Sequence, residues 1–351
     1  CMYSLNMTMR TGSMDHYDTV YCVGKHHTEE IRKTEEAYGL PPKKLIDWGY
    51  CLLDRMIEDY RKADKTPHEK KHILIAPSWQ KDNIVDSCLE GMLDDLAGKG
   101  YEVVVRPHPQ QVRLQQDKMD RLKERYAKNP DIDIQTDFSS NSTVFEADLL
   151  VTDWSGIAYE YAFTTKKPVL FVDTPMKVMN PEYQKIDTVP INIWMRDVIG
   201  DRLDPAKTEE TESKVRNLLE QKDAYHDRIE KFVEEYVYNL GNSAEVGAKY
   251  IVQAVQEQIK KAKELSLYTV LRYFLLDSMA YENILTQQHT VRPDFIEVLP
   301  GAMPKVIQKL CSEIKVPVIA GGLIIDKESV MGALTAGATA VSSTNHNVWK
   351  L

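Results

Sequence analysis

Short apolar runs alternate with charged, amphipathic stretches along most of this chain, and each run stops abruptly at polar or small residues. Two runs stand out: Glu102-Val103-Val104-Val105-Arg106-Pro107-His108-Pro109 and Ala147-Asp148-Leu149-Leu150-Val151-Thr152-Asp153-Trp154-Ser155-Gly156. Each reads as a buried strand of an open parallel sheet, a fold that places its ligand groups at the strand ends. The series predicts strands at residues 72–76, 101–105, 132–135, 148–151 and 168–172, with helices at 83–96, 112–127, 140–146 and 155–163 between them. Ahead of it, residues 19–24 and 44–49 read as short strands around a charged helix over 26–38, which Gly39-Leu40-Pro41-Pro42 ends. Residues 54–64 read as a helical connector, and Thr66-Pro67 as a boundary.

From Glu209 the period becomes helical, with Val215, Leu218, Leu219, Ile229, Phe232, Val233, Tyr236 and Val237 recurring at three and four. Gly241-Asn242-Ser243 is expected to stop one helix and cap the next, and Lys260-Lys261-Ala262-Lys263-Glu264 reads as a solvated helix end or linker. The register then returns to strands at 272–278, 294–301, 316–322 and 338–344, each followed by a helix or the chain end. Consecutive βα units of this kind match the last half of a (β/α)8 barrel. The fold expected is therefore α/β, in three parts: 1–65, 66–263 and 264–351.

At 351 residues the chain exceeds what one core usually covers. A net charge of −9 and a pI near 5.6 argue against a broad footprint for nucleic acid, though not against a local basic patch. The 5 cysteines are scattered, with no CxxC or Cys/His metal spacing, which favours a reducing, cytoplasmic compartment; no metal or cofactor is expected. No apolar run reaches membrane-span length, and the first residues resemble no signal peptide. Without an initiator Met, the chain is expected to be N-terminally incomplete.

Several residues at strand ends could do chemistry. His108, stiffened by Pro107 and Pro109, could donate to a phosphate or protonate one as it leaves, with Arg106 holding charge; the plain alternative is a rigid turn. Asp153-Trp154-Ser155-Gly156 leads into a helix whose free amides can take an anion, with Ser155 adding a hydroxyl; the alternative is that Asp153 or Ser155 simply caps the helix. Gly156 permits close backbone approach, and Glu160, one turn on, could bind ribose hydroxyls. Ser140, in Ser139-Ser140-Asn141-Ser142-Thr143, lies one strand end away. Trp79 could stack on a base or pack in a core, whereas His26 and His27, on a charged helix, read as solvated. In the last part, Gly321-Gly322 and Ser342-Ser343-Thr344 match the phosphate-binding corner of barrels, with Asp277 and Glu297 at neighbouring strand ends.

Residues 14 to about 258 resemble the CDP-glycerol glycerophosphotransferase family of teichoic-acid polymerases and primases. The likeness lies in His16-Tyr17-Asp18, Cys22-Val23-Gly24, Gly49-Tyr50, Leu53-Asp54, Arg106-Pro107-His108-Pro109, Asp148 to Gly156, and Lys167-Pro168-Val169-Leu170-Phe171. This chain has Trp154 and Gly156 where the commoner pattern is Tyr and Ser. The resemblance implies a GT-B architecture, with a Rossmann-like donor domain and a partial N-terminal domain. It implies transfer of glycerol phosphate from CDP-glycerol to a polyol-phosphate, teichoic-acid-like acceptor, in the cytoplasm or at the inner face of the cell membrane. His108 and Arg106 would meet the donor pyrophosphate, with Asp153 and Ser155 at the donor-binding helix start. The family's second histidine motif precedes Cys1, so the chain as truncated is expected to lack full transfer activity.

Residues 272–349 resemble the C-terminal half of the glycerol-3-phosphate-responsive antiterminator family. The matching residues are Asp277-Ser278, Asp294 to Gly301, Pro304-Lys305, Pro317 to Ile324 and Ala336-Gly337-Ala338. This resemblance implies glycerol 3-phosphate bound at the half-barrel. It also implies an alternative function, a sensor that binds leader RNA, and an open half that pairs with another copy or packs on the transferase part. A remnant with both sites defunct is the third reading.

Overall fold

The computed structural model describes residues 2–63, 68–137 and 142–351, which divide into two compact units, 1–247 and 248–351. Both are α/β with parallel sheets throughout. In the first unit, strands β1 (Thr19–Cys22) and β2 (Lys44–Asp47) pair in parallel around the helix Lys25–Tyr38. Gly39 ends that helix in the left-handed region at φ 63°, a conformation that suits a residue without Cβ.

A six-stranded sheet follows, with β3 (Lys71–Ile75), β4 (Tyr101–Val105), β5 (Ile132–Ile134), β6 (Leu149–Thr152), β7 (Val169–Val172) and β8 (Gly200–Leu203) in the order β5-β4-β3-β6-β7-β8. The chain builds outward from β3 to β5, then returns to the other side of β3 with β6. The order reverses between β3 and β6, and it is outside the C-terminal strand ends at such a switch point that open α/β sheets form a ligand crevice. Every residue of β6 and β7 is buried, which explains their unbroken apolar runs. Fully burying each such Leu, Ile or Val contributes about 1.5–3 kcal/mol relative to leaving it exposed.

Helices also departed from the expected pattern. Residues 83–96 form two helices, Ile84–Ser87 and Leu89–Leu96, with Cys88 off helical geometry between them. Residues 112–127 likewise belong to two, Pro109–Leu114 and Gln116–Tyr126, and the first begins earlier than its apolar pattern suggested because Pro109 suits the opening position. The helix Ser243–Glu264 takes its first amides to a distant carboxylate: Gly241 N–H and Ser243 N–H donate to Asp54 Oδ1 and Oδ2 at 2.7 and 2.9 Å.

His26 and His27 are buried rather than solvated, because the segment before β1 lies over their helix. His27 Nε2 meets the Tyr3 carbonyl at 2.9 Å, and Glu30 Oε2 accepts from the backbone N–H groups of Leu5 and Asn6 at 2.6 and 3.2 Å.

In the second unit, β9 (Val270–Phe274), β10 (Phe295–Leu299), β11 (Val318–Gly321) and β12 (Ala340–Ser342) form a parallel sheet in sequential order, joined by helices Ser278–Val291, Pro304–Glu313 and Lys327–Thr335. Its core lies on the helix side, around Ile284, Ile296, Val298, Leu310 and Val318. Among the described residues no helix is long and apolar enough to cross a membrane.

Candidate functional site

The crevice is organised by Asp153, the residue after β6, which is only 2 % exposed. Its Oδ1 accepts from Ser78 N–H, just beyond β3, at 2.7 Å, and its Oδ2 from the Thr174 hydroxyl, just beyond β7, at 3.3 Å. One carboxylate therefore ties three strand ends together at the point where the strand order reverses. Both its oxygens are engaged within the protein, and it does not cap the helix that follows.

That helix, Ile157–Thr165, starts at Gly156 without a side-chain cap. Orphan amides at a helix start favour anions. A Cβ on Gly156 would lie 2.8 Å from the Tyr3 hydroxyl oxygen, so glycine permits the Tyr3 ring to rest on this turn. Burial, reinforced by the Glu160 carboxylate, pushes the Tyr3 phenol up to about 12. Glu160 accepts from the Tyr50 hydroxyl at 2.8 Å, and burial raises its carboxyl above the usual range.

His108 caps the helix Pro109–Leu114, and its Nδ1 accepts from Gln110 N–H at 3.2 Å. An accepting Nδ1 places the proton of a neutral imidazole on Nε2, which is then free to donate. Burial, and then the nearby Lys177 cation, lower the His108 pKa below its ordinary value, which favours that neutral form. The Trp79 ring stacks on His108 at 6.4 Å between centroids and 23° between planes. Trp79 is held there by buried Asn83, whose Nδ2 donates to the Ser78 and Gln80 carbonyls at 3.0 Å each. Arg106 donates to Thr143 Oγ1, in the helix Ser142–Glu146, at 3.3 Å. Ser140 lies outside the described residues.

Arg196, which sequence reasoning missed, is 2 % exposed beside the same strand ends. Its guanidinium lies 4.1 Å from the Trp154 ring centroid and 4.9 Å from that of Phe171. It reaches Asp173 Oδ1 at 3.0 Å and the Val172 carbonyl at 3.1 Å, and burial lowers its pKa to about 10. Trp154 Nε1 donates to the Thr174 carbonyl at 2.8 Å, so both faces of the Asp153 turn are fixed. Tyr3, Lys177 and Arg196 come from segments remote in sequence, and none lies on a strand-end motif.

The strand ends of the second unit also converge. Gly301 N–H donates to the Gly321 and Gly322 carbonyls at 2.5 and 3.0 Å, and a Cβ on Gly301 would sit 2.6 Å from Gly321 N. Gly322 adopts φ 70°, a left-handed conformation that favours glycine. The Ser342 hydroxyl donates to Glu297 Oε1, and the Ser343 hydroxyl to the Ile324 carbonyl at 2.6 Å. Burial works to raise the Glu297 carboxyl, but the Ser342 hydroxyl and Arg272, whose Nε lies 2.6 Å from Oε2, outweigh it and hold it low. Ser342 and Ser343 thus spend their protons inside the protein, leaving backbone amides as the donors at this corner.

Comparison with known proteins matches residues 5–255 to the family profile described as CDP-Glycerol:Poly(glycerophosphate) glycerophosphotransferase. Residues 242–349 match the profile described as Glycerol-3-phosphate responsive antiterminator. An uncharacterized protein of Escherichia coli (strain K12), YgcP, is 40% identical over 101 residues, which are 29% of this chain and 53% of that protein. The chain thus spans about half the length of the curated relative it matches. Among solved structures, the wall teichoic acid polymerase TagF is similar at 19% identity and a TM-score of 0.45, over 69% of this chain and 58% of TagF. A glycerol uptake operon antiterminator regulatory protein from Listeria monocytogenes strain 4b F2365 is similar at 16% identity and a TM-score of 0.26, over 82% of this chain and 98% of that one.

Proposed function

The chain belongs to the CDP-glycerol:poly(glycerophosphate) glycerophosphotransferase family, and on that premise we propose that its first unit is a GT-B-type donor domain that binds CDP-glycerol for transfer of glycerol phosphate to a teichoic-acid-like polyol-phosphate acceptor. The observation that carries this reading is the Asp153 clamp, which draws the β3, β6 and β7 ends together beneath an uncapped helix start. On this reading Asp153 positions the turn, while the Ser155 hydroxyl and the amides at Gly156 receive the diphosphate. Neutral His108 donates from Nε2 to the departing phosphate, Arg106 and Lys177 supply positive charge, Trp79 offers a stacking face to the base, and Glu160 meets the ribose. An acceptor hydroxyl oxygen forms the new bond to the glycerol-bearing phosphorus and gives up its proton to solvent. The bond from that phosphorus to the bridging oxygen breaks, and CMP leaves with the electron pair.

The binding step is tested by titrating CDP-glycerol into the full chain. Saturable binding that His108→Ala weakens at least tenfold, with the fold intact by circular dichroism, is expected; equal affinity for both proteins would sink the assignment. CMP release, assayed in the same pair with a polyol-phosphate acceptor, should fall further in the variant than binding does.

A second reading belongs to the second unit and rests on the match over residues 242–349 and on the glycine corner. There the amides of Gly321 and Gly322 would hold the phosphate of glycerol 3-phosphate, Ser342 and Ser343 would shape the turns around it, and the unit would act as a sensor, with RNA as the antiterminator-like output. In this half-barrel, glycerol 3-phosphate should raise the melting temperature by mass action on the folded state. The net charge of −9 makes RNA the weaker of the two expected partners. Any membrane association on the transferase reading would be peripheral, following the acceptor at the inner face.

A further inference from the structure

The sheet β9–β12 departs from the usual rule that parallel sheets are covered on both faces. Tyr273, Ile296, Val298 and Val318 face the helices and make the core. The register pairs Val270 with Phe295, Arg272 with Glu297 and Phe274 with Leu299 on the opposite face. There Val270 is 48 % and Phe274 62 % exposed, at the two ends of β9 with Arg272 between them. Among the described residues both outer strands are also open, because β9 pairs only with β10, and β12 only with β11. An unpaired strand edge is a template for another strand.

We propose that a second copy of this chain closes the sheet, with β12 of each copy pairing in parallel with β9 of the other about a two-fold axis. Four strands from each copy then make an eight-stranded barrel, the size whose interior side chains just fill. Three features favour this occupant. The two edges have the same strand polarity, so a two-fold axis along the barrel joins them in parallel at both seams with identical contacts. Each copy already neutralises its inward Glu297 with its own Arg272, so closure buries no unpaired carboxylate. The exposed apolar side chains Val270 and Phe274 lie on the β9 edge itself, where a partner strand would cover them. Closure would also bring two glycine corners to the same end of one barrel.

Sedimentation equilibrium of the full chain tests this directly. A mass twice that of the 40.3 kDa chain is expected at micromolar concentrations, falling to the monomer in Phe274→Asp and in Val270→Glu. Both residues are exposed in the single chain, so these variants should keep its circular dichroism. Mixing a Val270→Cys chain with a Thr339→Cys chain and adding a short bismaleimide should link one to the other, because β9 meets only β12 across the seam. A monomer at every concentration would overturn the proposal. So would a dimer that survives Phe274→Asp, or cross-links that join only like with like.

Discussion

At the scale of single residues, Asp153 does the most to shape the crevice, because a buried carboxylate accepting from Ser78 N–H and the Thr174 hydroxyl fixes three strand ends at once. Asp153→Ala leaves the Ser78 N–H buried and unpaired, which costs about 1–3 kcal/mol. Denaturant melts should show that loss, and CDP-glycerol affinity should fall with it even though the side chain makes no contact with the donor. His108 makes a different prediction. Its pKa is held below the ordinary value by burial and Lys177, so the donating neutral form persists through neutral pH. Protonating Nδ1 would break the bond from Gln110 N–H that aims the ring, so CMP release should be level from pH 7 upward as far as His108 governs it and should fall only below the ordinary histidine range; a fall centred at or above that range would contradict the assigned protonation state. His108 and Ser155 could be placed just past strand ends from the sequence because each lies shortly after an apolar run, and strand ends are where such sheets keep their ligands. Arg196, Tyr3 and Lys177 were not, since what brings them to the site is tertiary packing with no periodic signal.

At the scale of elements, the N-terminal segment is tied down by a titratable set. Burial pushes the Glu30 carboxyl up to about 7 and the His27 imidazole down to about 4, and it lowers His26 as well. The two kinds of group act in opposite directions. Between about pH 4 and 6.5 an unfolded histidine binds a proton that the folded one does not, so the histidines make stability rise with pH. Between about pH 4.5 and 7 the folded Glu30 holds a proton that the unfolded one has lost, so it makes stability fall with pH. Glu30→Gln should remove the falling part and leave a steeper rise from pH 4.5 to 6.5; an unchanged slope in pH-dependent melts would show that Glu30 is not the opposing group.

The strand β8 was missed for a physical reason. It lies at the edge of its sheet and carries Asp201 and Arg202, as edges often do to discourage pairing with other chains. Its first residue tolerates nothing larger than glycine, since a Cβ on Gly200 would meet the Val169 carbonyl at 1.7 Å. Gly200→Ala should cost about 1–3 kcal/mol as an overpacking change, read from the shift in denaturant midpoint. The central strands were legible for the complementary reason: buried on both faces, β6 and β7 are unbroken apolar runs too short for a buried helix and bounded by polar residues. Helices Ile84–Ser87 and Leu89–Leu96 were read as one because a break at Cys88 leaves the apolar spacing almost intact.

At the scale of the whole molecule, two units with separate cores hold two expected ligand sites, and this separability is testable. Calorimetry should resolve two transitions, with CDP-glycerol raising the one of larger enthalpy and glycerol 3-phosphate the other. The central claim remains the diphosphate site at the reversal of strand order in the first unit. A crystal structure of the full chain grown with CDP-glycerol tests it most directly. The diphosphate is expected against the Ser155–Gly156 turn, within hydrogen-bond reach of His108 Nε2, with the base beside Trp79. Nucleotide bound elsewhere on the chain, or a crevice left empty at saturating CDP-glycerol, would contradict it.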